Sequence, residues 1–183
     1  MTNLSYLTAI ATLTLATGAG ASIITVGGGY AQSCYAAADA QDLRPQALDV
    51  CDRALSEQAL TRSDHAATLV NRGIIHLRRA SLTRADADFD AALAIDPALA
   101  DAWLNKAILN VRYGRSAAAL PLVNRALQLK TRRPALAYFV RAVANEDSGN
   151  VAAAYQDLQR ARRLAPKWSE PIVELKRFKV RQL

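Results

Sequence analysis

No Asp, Glu, Lys or Arg precedes Asp39. An uncharged start of this kind reads as an address rather than as part of a fold. Residues 7–16 have the length of a signal-peptide apolar region, and Ala19-Gly20-Ala21 supplies the small side chains that a signal peptidase requires. Cleavage is expected after Ala21, which makes residues 1–21 a signal peptide and the mature protein periplasmic. Two features qualify this reading. The segment before the apolar run lacks Lys and Arg, and apolar character continues from Ile23 to Val26. Residues 4–26 are just long enough to span a bilayer, so the alternative is an uncleaved anchor in the inner membrane. Membrane contact follows only in that case.

Histidine is scarce too. His65 and His76 are the only two, eleven positions apart, and no acid or cysteine stands beside them at ligand spacing. That excludes the usual zinc sites and leaves no nucleophile–base pair in view. Gly27-Gly28-Gly29 is followed by no basic or hydroxyl residue in the pattern of a phosphate loop. Asp86, Asp88 and Asp90 alternate, a spacing that on a helix separates them instead of gathering them round a cation; they read as favourable charge near a helix start. No metal or cofactor is expected, and the chain does not read as an enzyme.

Cysteine occurs twice, at Cys34 and Cys51, both beyond the cleavage site. An even pair in an exported chain is expected to form a disulfide. Restricting the unfolded chain over a loop of that size stabilises by about 3 kcal/mol.

What is present is a chain of 183 residues, 51% hydrophobic and 21% charged, enough for one domain with a real interior. The net charge of +7 suits acidic protein, anionic lipid or nucleic acid. Export removes nucleic acid from that set and leaves a protein or an anionic envelope surface. The positive charge is densest around Arg160, Arg162, Arg163 and Lys167 and in the basic C-terminus.

The strongest signal is a repeat of 34, then 35 residues. Leu69, Trp103 and Tyr138 fall in one column, as do Gly73, Ala107 and Ala142; Ala85, Ala119 and Ala154; and Ala92, Ala126 and Ala161. Pro97 and Pro166 close the first and third units. The middle unit has Thr131 instead, plus one extra residue before Pro134. Within each unit apolar residues recur every three or four positions with breakers between the halves, which predicts helix pairs over 66–79 and 85–95, 100–113 and 117–130, and 135–147 and 151–164. Pro121 lies inside the second helix of the middle unit, where a kink or a late start is expected. Upstream, residues 44–57 read as the second helix of a degenerate first unit whose first helix is short and irregular. Residues 169–180 read as a closing helix with a polar outer face.

Period, helix pairing and small-residue columns resemble the tetratricopeptide repeat. Leu69, Trp103 or Tyr138, then Gly73, Ala85, Phe89, Ala92 and Pro97, fill the slots of that pattern. Arg72, Lys106 and Arg141 resemble a common bacterial variant with a basic residue before the small one. The resemblance implies an all-α superhelical stack: residues 22–65 as an N-terminal cap and degenerate repeat with the disulfide, residues 66–168 as three full repeats, and residues 169–183 as a capping helix. It also implies a concave surface made by the first helix of each pair, carrying Val70, Asn71, Ile74 and Arg78, then Leu104, Asn105, Ile108 and Arg112, then Phe139 and Val143. Asn can bond a peptide backbone at both its polar groups, and Arg can clasp a carboxylate, so the surface is expected to bind a partner protein segment of acidic character. The function implied is a non-catalytic interaction scaffold or adaptor of the cell envelope, monomeric or weakly associated. The alternatives are a fixed subunit of an envelope complex and an electrostatic binder of an anionic envelope polymer or membrane through the basic C-terminal region. The groove being filled by the protein's own termini is a further possibility the residues leave open, in which case partners would dock on the convex face.

Overall fold

The computed structural model describes residues 22–23 and 29–178; the expected signal segment, 1–21, lies outside the described residues. All regular structure there is α-helical: α1 (Tyr30–Asp39), α2 (Pro45–Glu57), α3 (Arg62–Arg78), α4 (Leu82–Ile95), α5 (Ala100–Arg112), α6 (Ser116–Gln128), α7 (Pro134–Asp147), α8 (Val151–Leu164) and α9 (Ser169–Leu175). Consecutive helices pack as hairpins α1–α2, α3–α4, α5–α6 and α7–α8. First helices also touch one another, α1 on α3, α3 on α5 and α5 on α7, so the hairpins stack in register along the chain. Among the described residues no helix is long and apolar enough to cross a membrane.

The alanine and glycine columns lie where helices meet. Ala85, Ala92, Ala107, Ala119, Ala126, Ala154 and Ala161 are wholly buried, and Ala142 nearly so. At Gly73 the approach leaves no room for a side chain, since a Cβ there would stand 2.6 Å from Cε1 of Phe89. The matching positions of the next two units hold Ala107 with Val123 and Ala142 with Leu158, all buried, so in these three units a smaller residue on the first helix goes with a larger one on the second.

Helix ends follow local chemistry. Thr61 Oγ1 accepts from the Asp64 amide at 3.1 Å and donates to Asp64 Oδ2 at 2.8 Å, a reciprocal cap that starts α3 at Arg62, earlier than the expected residue 66. Helices α3, α5 and α7 end alike, on a left-handed residue: Ala80, Gly114 and Gly149. In each, the next amide reaches back to close the last turn, as from Ser81 to the His76 carbonyl at 2.9 Å. The middle unit's extra residue makes the same turn at the end of α6, with Lys130 left-handed.

Three expectations are corrected. The short, irregular N-terminal cap is a regular hairpin, because α1 runs ten residues and Cys34 and Cys51 join it to α2, with Ile75 of α3 packed against the pair. The closing helix ends at Leu175 instead of residue 180; Phe178 follows it and packs on Tyr155, ring centroids 5.7 Å apart. Of the kink or late start expected at Pro121, the late start does not occur: α6 begins at Ser116 and Pro121 sits inside it on the exposed side. The Ala117 carbonyl that loses its amide belongs to an exposed residue, where water can replace the bond.

Candidate functional site

Helices α3 and α5 place Val70, Asn71, Ile74, Leu104, Asn105 and Ile108 close together, and none of the six is more than 1% exposed. Part of their cover is the chain's own N-terminal segment. Ile23, 6% exposed, belongs to the same apolar cluster as Val70, Ile74, Leu104 and Ile108. Its backbone amide donates to Asn71 Oδ1 at 2.9 Å, and Asn71 Nδ2 donates to its carbonyl at 2.8 Å. One side-chain amide thus satisfies both backbone groups of one residue, as a neighbouring strand would. The pairing also fixes the orientation of the Asn71 amide, because only one way round puts its acceptor on an N–H and its donor on a C=O.

The terms of this contact nearly cancel. Burying an isoleucine contributes about 2–3 kcal/mol and two hydrogen bonds about 1 kcal/mol each, against about 1–2 kcal/mol per residue for fixing the backbone. The adjacent Ser22 hydroxyl oxygen is buried and makes no hydrogen bond among the described residues, which subtracts further.

The other residues expected on this surface are placed differently. Asn105 Nδ2 donates back to the Asp101 carbonyl of its own helix at 2.8 Å. Arg78 and Arg112, expected to read a carboxylate, each donate to a main-chain carbonyl at the end of the preceding first helix, Arg78 to Ala38 and Arg112 to Leu77, the latter at 3.0 Å. They cap those helix C-termini. Burial, and then the nearby Arg133, hold the Arg78 guanidinium below its ordinary pKa. Phe139 is buried beneath the closing helix, 4.9 Å from Trp168, and Val143 is half-buried beside it.

The basic residues before the small column do not face this surface. Arg72 pairs with Asp88 through two hydrogen bonds of 3.0 and 2.6 Å and with Asp52 at 2.7 Å. Lys106 reaches Asp86 at 2.9 Å and Asp90 at 2.5 Å. Arg141 clasps Asp157 at 2.8 and 2.7 Å. Each therefore ties a first helix to a second helix, its own or the previous one. The bond to Asp88 raises the Arg72 pKa despite burial. Burial alone would lower Lys106, but Asp90 and Asp86 outweigh it and leave it raised. Asp86, Asp88 and Asp90 are thus ion-pair partners, where favourable helix-start charge was expected. His76 is buried, its Nε2 4.0 Å from Asp88 Oδ2, and desolvation lowers its pKa.

The basic C-terminal region is partly committed as well. Arg160 lies over the Tyr138 ring, 5.2 Å from its centroid, and Arg177 pairs with Glu146 at 2.7 Å and with Glu174. Among the described residues no group of three or more His, Cys, Asp or Glu could hold a metal ion.

The sequence left the Ile23 contact open only as a filled groove, and its partners lie 48 positions apart. The ion pairs had a readable signal, since the acids stand 16 or 20 positions from the basic column.

The stacked hairpins and small-residue columns define a tetratricopeptide-type solenoid. Solved structures share that fold. The first TPR domain of human RPAP3 superimposes with a TM-score of 0.59 at 23% identity, over 63% of this chain and 90% of that one. The second TPR domain of human RPAP3, in complex with an HSP70 peptide, gives 0.60 at 21%, over 66% and 100%. MamA from Desulfovibrio magneticus RS-1 gives 0.63 at 20%, over 82% and 84%. No family model matches the chain and no curated protein sequence matches it.

Proposed function

We propose that the protein is a non-catalytic interaction scaffold that holds a segment of a partner protein against the first helices of its repeats, with Asn71 as the residue that reads the partner's backbone. The observation that carries this is the paired bond between the Asn71 amide and the backbone of Ile23: the α3–α5 face already holds a piece of peptide in this way. A fold-level precedent is the second TPR domain of RPAP3, solved with a peptide.

The same proposal places the protein in the bacterial cell envelope, exported by residues 1–21. The uncharged start of the sequence supports export, and the Cys34–Cys51 disulfide suits an oxidising compartment. The electrostatic alternative loses ground because Arg160 and Arg177 are engaged within the molecule.

The experiment is a crosslinking capture from the native envelope fraction with tagged full chain, run at low and high salt beside Asn71→Ala. The expected result is a stoichiometric protein partner retained at high salt and lost in the variant. Capture that is indifferent to Asn71→Ala and vanishes with salt sinks the groove reading and moves attention to the basic C-terminal region.

A further inference from the structure

We infer that the segment around Ile23 is a resident pseudo-ligand, and that a partner segment enters the α3–α5 face by displacing it. The partner's chemistry follows from the resident: an uncharged, aliphatic stretch with an extended backbone. This rests on the proposed function and deepens it.

Three observations carry the inference. First, the Asn71 amide reads main chain alone, one N–H and one C=O, so any residue except proline presents the same two groups. The bond fixes backbone geometry and leaves side-chain choice to the pocket. Second, the surroundings are apolar: Ile23, 6% exposed, belongs to the main buried cluster, with Val70, Ile74, Leu104 and Ile108 among its members. The arginines that would have selected an acidic ligand are spent on carbonyls at helix ends. Extension follows from geometry, because the N–H and C=O of one residue point the same way only when the backbone is extended. Third, the resident is an imperfect ligand. The Ser22 hydroxyl oxygen is buried without a partner among the described residues, a defect that a segment with alanine in that place does not carry. An occupant held by two hydrogen bonds and one aliphatic side chain, with a buried orphan beside it, is one that a better segment can replace.

A full-chain experiment tests this. The probe is a blocked synthetic peptide with the sequence of residues 22–26, Ser-Ile-Ile-Thr-Val, and a second with alanine for the serine. Hydrogen exchange at the Ile23 amide, read by NMR, reports whether the resident is in place. The wild-type amide is expected to be protected and the peptide to bind weakly. Ile23→Asp evicts the resident and is expected to tighten peptide binding roughly ten-fold or more, since apparent affinity scales with the fraction of open site. Asn71→Ala in that background abolishes the gain, and the alanine peptide binds more tightly than the serine one. Ile23→Ser serves in the same way if Ile23→Asp fails to fold by circular dichroism.

An unprotected Ile23 amide overturns the inference and removes the observation that carries the proposed function, which the envelope capture with Asn71→Ala then decides by itself. A protected amide with no gain in either Ile23 variant means that the segment is a fixed part of the fold, and overturns both. A gain that survives Asn71→Ala places the peptide elsewhere and overturns the inference as well.

Discussion

Hairpins α3–α4 and α5–α6 occupy successive turns of one repeat and solve the same two problems with different residues. Where the helices cross, α3–α4 sets Gly73 against Phe89, with no room for a Cβ, whereas α5–α6 has Ala107 and Val123, both wholly buried, at the matching positions. At the basic position, Arg72 pairs inside its own hairpin with Asp88, while Lys106, whose own second helix has Leu122 at the matching place, reaches back to Asp86 and Asp90 on α4. The repeat therefore fixes combined volume and charge compensation, and leaves open which helix supplies each part. It also explains why α4 carries three alternating acids: one face serves its own hairpin, the other serves the next.

The largest expected effect comes from breaking the buried half of that arrangement. Asp88 and Arg72 have side chains only 7% and 24% exposed, so Asp88→Ala leaves a largely buried guanidinium with Asp52 alone. The expected loss is about 3 kcal/mol, the low end for a broken buried pair because Asp52 remains. Asp86→Ala, which leaves Lys106 its bond to the more exposed Asp90, costs less than about 1 kcal/mol. Denaturant midpoints with unchanged slopes check both values; equal losses would show that the two hairpins do not differ as described.

Next in size is Gly73→Ala. A methyl group 2.6 Å from the Phe89 ring must push the hairpin apart, at about 1–3 kcal/mol. Replacing Phe89 by leucine reproduces the Ala142–Leu158 pairing of the third unit, so Gly73→Ala with Phe89→Leu is expected to be less destabilised than the two single losses summed. A coupling of at least about 0.5 kcal/mol in a double-mutant cycle is the check. Additive losses would mean that the small and large columns do not compensate.

The repeat and its columns were legible in the sequence because each column is local to a helix and recurs at a fixed interval. Helix α1 was poorly legible, since residues 30–38 carry no charge and so show little contrast between faces; its regular form depends on packing against α2 and α3. The helical spacing was read as separating all three aspartates, whereas Asp86 and Asp90, one turn apart, share Lys106 and only Asp88 faces the other way. The candidate surface was legible in Asn71, Val70 and Ile74 as positions. What sits on them was not, because Ile23 is joined to Asn71 across 48 residues by main-chain groups that every residue carries.

A smaller effect concerns pH and again separates the hairpins, because His76 in α3 has Asn110 in the matching place of α5. Burial lowers the folded-state pKa of His76 below its ordinary 6.5, so the unfolded chain takes up the proton first. Stability is then fully present above about pH 6.5 and is lost as pH falls through the folded-state value. Asp88 opposes this shift, while Arg72 and Arg84 reinforce it. Melting temperatures between pH 7 and 5 are expected to fall for the wild type and to fall less for His76→Gln. Parallel profiles would exclude His76 as the source.

The smallest effect is a gain. Helices α3, α5 and α7 end on the same closing turn, and each needs a left-handed residue: φ is +67° at Gly114 and +81° at Gly149, but α3 uses Ala80 at +58°. A side chain in that region costs about 1 kcal/mol that glycine does not, while glycine loses more freedom on folding. The turn's hydrogen bonds, Ser81 to His76 and Ala80 to Leu77, are main-chain bonds that glycine keeps. Ala80→Gly is therefore expected to raise stability by about 0.5 kcal/mol, and Gly114→Ala to lower it by about the same amount. If Ala80→Gly destabilises instead, the entropy of the unfolded chain outweighs the strain at this turn, and the three helix ends are not equivalent.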